Sequence, residues 1–178
     1  MLNLSPIEKE ELLSLARKAI AAKLEGNDLD IPTDNPNFSI NRGVFVTLMK
    51  NNELRGCIGN IESRNSVWQG VIENATAAAF EDPRFLPLQA EELSQIQIEI
   101  SILSEPELAK PEYLKPGIDG VVIKCGENKA TYLPQVWEHF KTKEEFMDSL
   151  CVKAGLAERS WQDPRTQVFT YQVEKFSE

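Results

Sequence analysis

Residues 96–103 read IQIEISIL, with isoleucine at every second position and Gln97, Glu99 and Ser101 between them. Successive side chains of a strand point to opposite faces, so this run is a strand with one apolar and one polar face. Such a strand suits an antiparallel sheet covered on one side, whereas strands of a doubly wound parallel sheet are buried on both faces and read as unbroken apolar runs. The isoleucine face must therefore be covered by another part of the chain.

Two segments have the pattern to cover it. Ser5, Pro6 and Glu8 supply an N-cap, a helix-starting proline and a capping box, and Gly26 stands where a helix ends, which predicts a helix from about Ser5 to Leu24. Ile7, Leu12, Leu13, Ala16, Ala19, Ile20 and Leu24 form its apolar stripe. A second helix is predicted over Ser66 to Phe80, with Val67, Val71, Ile72, Ala75, Ala78 and Ala79 on its apolar side and Asp82 and Pro83 ending it.

Strand partners lie between these helices. Gly43 to Met49 is strongly β-prone, and Leu54 to Ile58 follows across turn residues Lys50 to Glu53, which predicts a hairpin. Asn27 to Asn41 reads as an extended connection. After Leu103, Pro106, Pro111 and Pro116 punctuate a linker, and a second hairpin is predicted from Gly120–Cys125, a GENK turn and Ala130–Leu133. Helices over Pro134–Phe140 and Thr142–Ala154 and a last strand over Gln167–Phe176 complete the chain. The expectation is an α+β fold, a largely antiparallel sheet flanked by helices, in one domain over residues 1–178 with part of 104–160 as a smaller lobe.

Several function classes are disfavoured. With a formal net charge of -9 the overall field repels nucleic acid and anionic membranes. No apolar stretch approaches the roughly 18 residues a membrane span needs, and the N-terminus lacks a basic-then-apolar signal pattern, so the expected location is cytoplasmic. Cys57, Cys125 and Cys151 are too scattered for a disulfide framework, a zinc site or an iron–sulfur cluster held by this chain alone. His139 is the single histidine, and acidic residues are too plentiful to single out a magnesium site. No phosphate-binding glycine loop is present, and no cofactor is expected.

The stretch ELRGCIGN at residues 53–60 carries the chemistry. Regular alternation puts Arg55 and Cys57 on one face, where a nearby guanidinium favours thiolate over thiol. Gly56 and Gly59 weaken a strand unless a bulge, another backbone or a ligand uses the space. The candidate site is therefore Arg55, Gly56, Cys57 and Gly59, with Cys57 as nucleophile and Arg55 as thiolate or anion stabiliser. Arg84 is a further candidate ligand contact: just past a helix end it could cap carbonyls, pair with Asp82 or face the same cleft as Arg55, and capping is its expected role. Free cysteine is among the most buried residue types, and a two-residue turn at Asn51 and Asn52 would set Leu48 opposite Arg55 and Val46 opposite Cys57, so a packed, inert thiol stands as the alternative. Glu99, Asp82 and Asp119 are the candidate partners for Arg55. His139 as a base for Cys57 is weakly motivated, and Trp68, Trp137 and Trp161 read as packing anchors.

The run LRGCIG at 54–59 resembles the hallmark hexapeptide of the AMMECR family, also called AmmeMemoRadiSam system protein A. RGVFVTL at 42–48, AAAFEDPRFLPL at 77–88, IEISILSEP at 98–106, GIDGVVI at 117–123, ATYLPQVWE at 130–138 and LCVKAGL at 150–156 resemble family segments in the family's order. The resemblance covers about residues 5–176 and implies an α+β domain with a larger and a smaller lobe and a cleft beside the hexapeptide. It implies no established activity, but it does imply a pathway shared with Memo-like and radical SAM proteins.

Three functional expectations follow. The first is an enzyme or enzyme component that binds a small anionic or carbonyl-bearing ligand beside LRGCIG. The second is a non-catalytic partner or adaptor acting with Memo-like and radical SAM proteins. The third, opposed by the net charge, is RNA or nucleotide binding through Arg42, Arg55, Arg64 and Arg84.

Overall fold

In the computed structural model, which describes residues 3–62 and 65–178, the chain forms two compact units: Met1–Leu103 with Glu174–Glu178, and Ser104–Val173. Arg64 lies outside the described residues.

The first unit is built on a four-stranded sheet. Strand β1 (Val44–Lys50) runs antiparallel to β2 (Glu53–Asn60) on one side and to β3 (Ile96–Leu103) on the other, and β8 (Val173–Ser177) lies beyond β3, giving the order β2-β1-β3-β8. Val44, Val46 and Leu48 stand opposite Ile102, Ile100 and Ile98, and all are buried. The alternation read from IQIEISIL is thus a core face, and it is covered by helices α1 (Pro6–Leu24) and α2 (Val67–Phe80) through Leu12, Leu15, Ala16, Ala19 and Ile20 of one and Val71, Ala75 and Ala78 of the other.

The N-terminal cap of α1 is the one the sequence predicts. The Glu8 amide donates to Ser5 Oγ at 3.3 Å while Glu8 Oε2 accepts from the Ser5 amide at 2.8 Å, a reciprocal box ahead of Pro6. Ser66 caps α2 through the Gln69 amide.

The β1–β2 hairpin corrects one expectation. Asn51 and Asn52 do form a two-residue turn, both in the left-handed region at φ 54° and 64°, as a twisted tight hairpin requires. The pairing starts Lys50 with Glu53 and Met49 with Leu54, and then slips: Leu48 pairs with Gly56, not Arg55. Arg55 is the extra residue of a β-bulge. From there on Cys57 faces Thr47 rather than Val46, which takes it off the buried face of β1 and onto the half-buried one.

The second unit holds an antiparallel sheet of order β4-β7-β5-β6, with β4 at Glu107–Leu108, β5 at Gly120–Cys125, β6 at Asn128–Tyr132 and β7 at Gln167–Tyr171. Helix α3 (Lys143–Lys153) packs its Phe146, Met147, Leu150 and Cys151 into a core with Val121, Ile123 and Val168. Trp137 stacks on Phe146 with ring centres 3.5 Å apart and donates its Nε1–H to Asp119 O at 2.7 Å. Four readings need amending. The second hairpin turns over Gly126 and Glu127 alone, so Asn128 and Lys129 pair with Cys125 and Lys124. Pro134–His139 is a 3-10 helix. The proline-marked linker contributes the short strand β4. The expected last strand breaks at Gln172, where the residue exchanges backbone and hydroxyl hydrogen bonds with Ser104 instead of extending the ladder, so that β7 and β8 join different sheets.

Candidate functional site

The bulge decides where the motif residues point. In β2, Gly56 lies directly over α2: a Cβ built on it would sit 2.1 Å from the Ala78 carbonyl oxygen, so only glycine lets helix and strand approach this closely. A Cβ at Gly59 would meet the Phe45 ring at 2.3 Å. The space left by both missing side chains is filled by the protein itself.

Arg55 turns away from the strand to the segment after α2. Its Nε donates to Glu92 Oε1 at 3.1 Å, and Nη2 donates to Glu92 Oε2 at 2.9 Å and to the Leu86 carbonyl at 3.0 Å. Lys50 Nζ adds a bond to the same carboxylate at 2.9 Å. Glu92 is held in place by its own turn, since Oε2 also accepts the Gln89 amide at 3.1 Å. These bonds, Arg55's first, hold the Glu92 carboxyl well below the usual carboxylate range and push the Arg55 guanidinium up despite its partial burial. The partner of Arg55 is therefore none of the three expected carboxylates: Glu99 pairs with Lys175, Asp82 with Arg84, and Asp119 accepts the Lys115 amide.

Arg84 is likewise a pairing residue rather than a helix cap. Its Nε and Nη2 grip the two oxygens of buried Asp82 at 2.9 and 2.6 Å. Asp82 Oδ2 also accepts the Cys57 amide at 2.9 Å, and Arg84 Nη2 donates to the Cys57 carbonyl at 3.3 Å. Donation from Arg84, with smaller help from the two amides, keeps the Asp82 carboxyl far below its ordinary range although burial opposes this. Since β2 is an edge strand, the Asp82–Arg84 pair supplies at Cys57 the donor and acceptor that a neighbouring strand would have given.

The Cys57 thiol is half-buried and takes a hydrogen bond from Thr47 Oγ1 at 3.2 Å. Phe85 lies beside both cations: the central guanidinium carbons of Arg55 and Arg84 stand 5.9 and 5.5 Å from its ring centre. His139 belongs to the second unit. Thr47, Lys50, Phe85 and Glu92 are members of the cluster that sequence reasoning missed. The signal for Glu92 was present in QAEE at 89–92, a capping-box pattern that fixes an acidic side chain in a tight turn. Among the described residues no group of three histidine, cysteine or acidic side chains is placed to hold a metal ion, and no helix is long and apolar enough to cross a membrane.

A two-sheet α+β protein whose defining loop is an arginine–glycine–cysteine edge strand buttressed by the segment after α2 is a recognisable class. The AMMECR1 family profile matches residues 13–176. A protein of Methanothermobacter thermautotrophicus is 38% identical over 98% of this chain and 97% of its own length, and one of Aquifex aeolicus is 37% identical over 94% and 91%. The crystal structure of an uncharacterized protein from Pyrococcus horikoshii superposes with a TM-score of 0.82 at 36% identity, covering 96% of this chain and 91% of that one. The chain belongs to the AMMECR1 family.

Proposed function

We propose that this protein is an enzyme or enzyme component that binds a small anionic or carbonyl-bearing ligand at the cluster around Arg55, Cys57 and Arg84. One observation carries the reading: Nη1 of Arg55 is buried and has no hydrogen-bond partner among the described residues, while Nε and Nη2 of the same guanidinium are engaged. A buried donor left unmade costs about 1–3 kcal/mol, a cost that a ligand oxygen would remove. Cys57, joined to Arg84 through its own carbonyl, is the candidate nucleophile. Thermal-shift measurements with small carboxylates, phosphates and carbonyl compounds test the binding, and iodoacetamide labelling of Cys57 against pH tests the chemistry. Ligands that raise the melting temperature of the wild type but not of Arg55→Lys support the reading. It is lost if no compound shifts the wild type and Cys57 stays unlabelled until the protein unfolds.

A second reading, an adaptor that docks with Memo-like or radical SAM proteins, draws support from Leu86 and Leu54, which flank Arg55 with 84% and 40% of their surface exposed. Co-purification with such partners, lost in a Leu54→Ser, Leu86→Ser double variant, is its test.

A further inference from the structure

Arg55 and Arg84 are held by the same device. In each, Nε and Nη2 grip one carboxylate, Nη2 gives its second hydrogen to a main-chain carbonyl, and Nη1 is left without a bond among the described residues. Both guanidinium groups lie near a single ring, that of Phe85. The carboxylates fix the orientation of the two forks, so any acceptor that joins them must come to Nη1.

The charge of the cluster limits what that acceptor can be. Lys50, Arg55 and Arg84 are bonded to Glu92 and Asp82, three cations against two carboxylates, which leaves one positive charge in excess. A single carboxylate matches that surplus, while a multivalent phosphate brings more negative charge than the cluster can balance. The surroundings are also apolar: Leu54, next to Arg55 in the chain, and Leu86, whose carbonyl Arg55 binds, are exposed, and the Phe85 ring centre lies 5.9 and 5.5 Å from the guanidinium carbons of Arg55 and Arg84.

Resting on the ligand reading above, the geometry points to a monocarboxylate with an apolar body as the ligand, its carboxylate accepting from Nη1 of Arg84 and of Arg55 and its body lying on Leu54, Phe85 and Leu86. Arg84, whose side chain is 54% exposed, makes first contact. Nη1 of Arg55 is shut from water and becomes available only to a group that displaces the atoms covering it.

The test is an NMR titration of the wild-type protein with phenylacetate, its neutral counterpart phenylacetamide, and inorganic phosphate. Saturable shifts from phenylacetate at the amides of 84–86 and the Nε–H signals of Arg55 and Arg84 are expected, with phenylacetamide and phosphate each weaker by about tenfold or more, the loss of one charge-assisted pair. Arg84→Gln should weaken phenylacetate by a similar factor and Arg84→Lys by less, the spectrum itself reporting whether each variant is folded. Phosphate binding at the same signals as tightly as phenylacetate overturns the monocarboxylate class and leaves the ligand site standing. Phenylacetamide binding as tightly as the acid also overturns it. Silence of those signals to all three probes overturns both this inference and the ligand reading beneath it.

Discussion

Asp82 sits buried beneath the edge of the sheet and binds the Cys57 amide at 2.9 Å, doing for an edge strand what a fifth strand would otherwise do. The same carboxylate anchors Arg84, so one side chain fixes both the backbone of the motif cysteine and the exposed cation beside it. Replacement by asparagine keeps the shape but removes the charge that two Arg84 bonds depend on. Because Arg84 is half exposed and solvent screens part of the pairing, a loss of about 2 kcal/mol is expected for Asp82→Asn in urea unfolding, below the 3–5 of a fully buried pair. Amide exchange at Cys57 should quicken with it.

Acidification should weaken the protein through Glu92 and Asp82. Both carboxyls titrate lower in the folded chain than in the unfolded one, where they have ordinary values near 4. A depressed folded pKa gives stability that is complete above the unfolded value and is lost as pH falls below it toward the folded one. The melting temperature should therefore hold from neutral pH to about 5 and fall steeply below about 4. A Glu92→Gln variant should start lower at neutral pH and show a shallower acid slope, read by calorimetry across the same range.

Gly56 is a packing requirement before it is anything else. With the Ala78 carbonyl 2.1 Å from where a Cβ would stand, Gly56→Ala forces α2 off the sheet, and backbone cannot yield as a side chain tip would. A cost of about 3 kcal/mol is expected. Gly126→Ala, at a turn where nothing lies within 4 Å, should lose only about 1 kcal/mol, from its left-handed φ of 59°. Chemical denaturation of the two variants side by side checks the contrast.

The fold was legible where burial is one-sided and caps are local. Ile96–Leu103 was read residue for residue, and Ser5, Glu8 and Ser66 announced two helices that then packed on it. The site was legible in composition but not in partnership. A bulge changes which face a side chain takes by adding a single residue, and nothing in LRGCIG says that Arg55 rather than a glycine is that residue. The partner of Arg55 was hidden for a different reason: Glu92 lies 37 positions away and is chosen by the path of the chain after α2, which local pattern does not specify. The break at Gln172, likewise, depends on Ser104, a residue 68 positions earlier.

The three cysteines should separate by reactivity. Cys57 lies on the half-buried face of β1 and β2, where the bulge places it, and its sulfur meets the Thr47 hydroxyl. Cys151 is fully covered in the second unit, and burial pushes its thiol up despite backbone donors from Trp161 and Ser160. Only thiolate reacts, and only when reached by solvent. Iodoacetamide at pH 8 followed by peptide mass spectrometry should label Cys57 in the folded protein and leave Cys151 unmodified until denaturant is added. A Thr47→Val variant removes the hydroxyl donor with little change of volume, so Cys57 labelling should slow at a given pH while Cys125 labelling stays constant. Equal labelling of Cys57 in both proteins would mean that the Thr47 hydroxyl has no part in its reactivity.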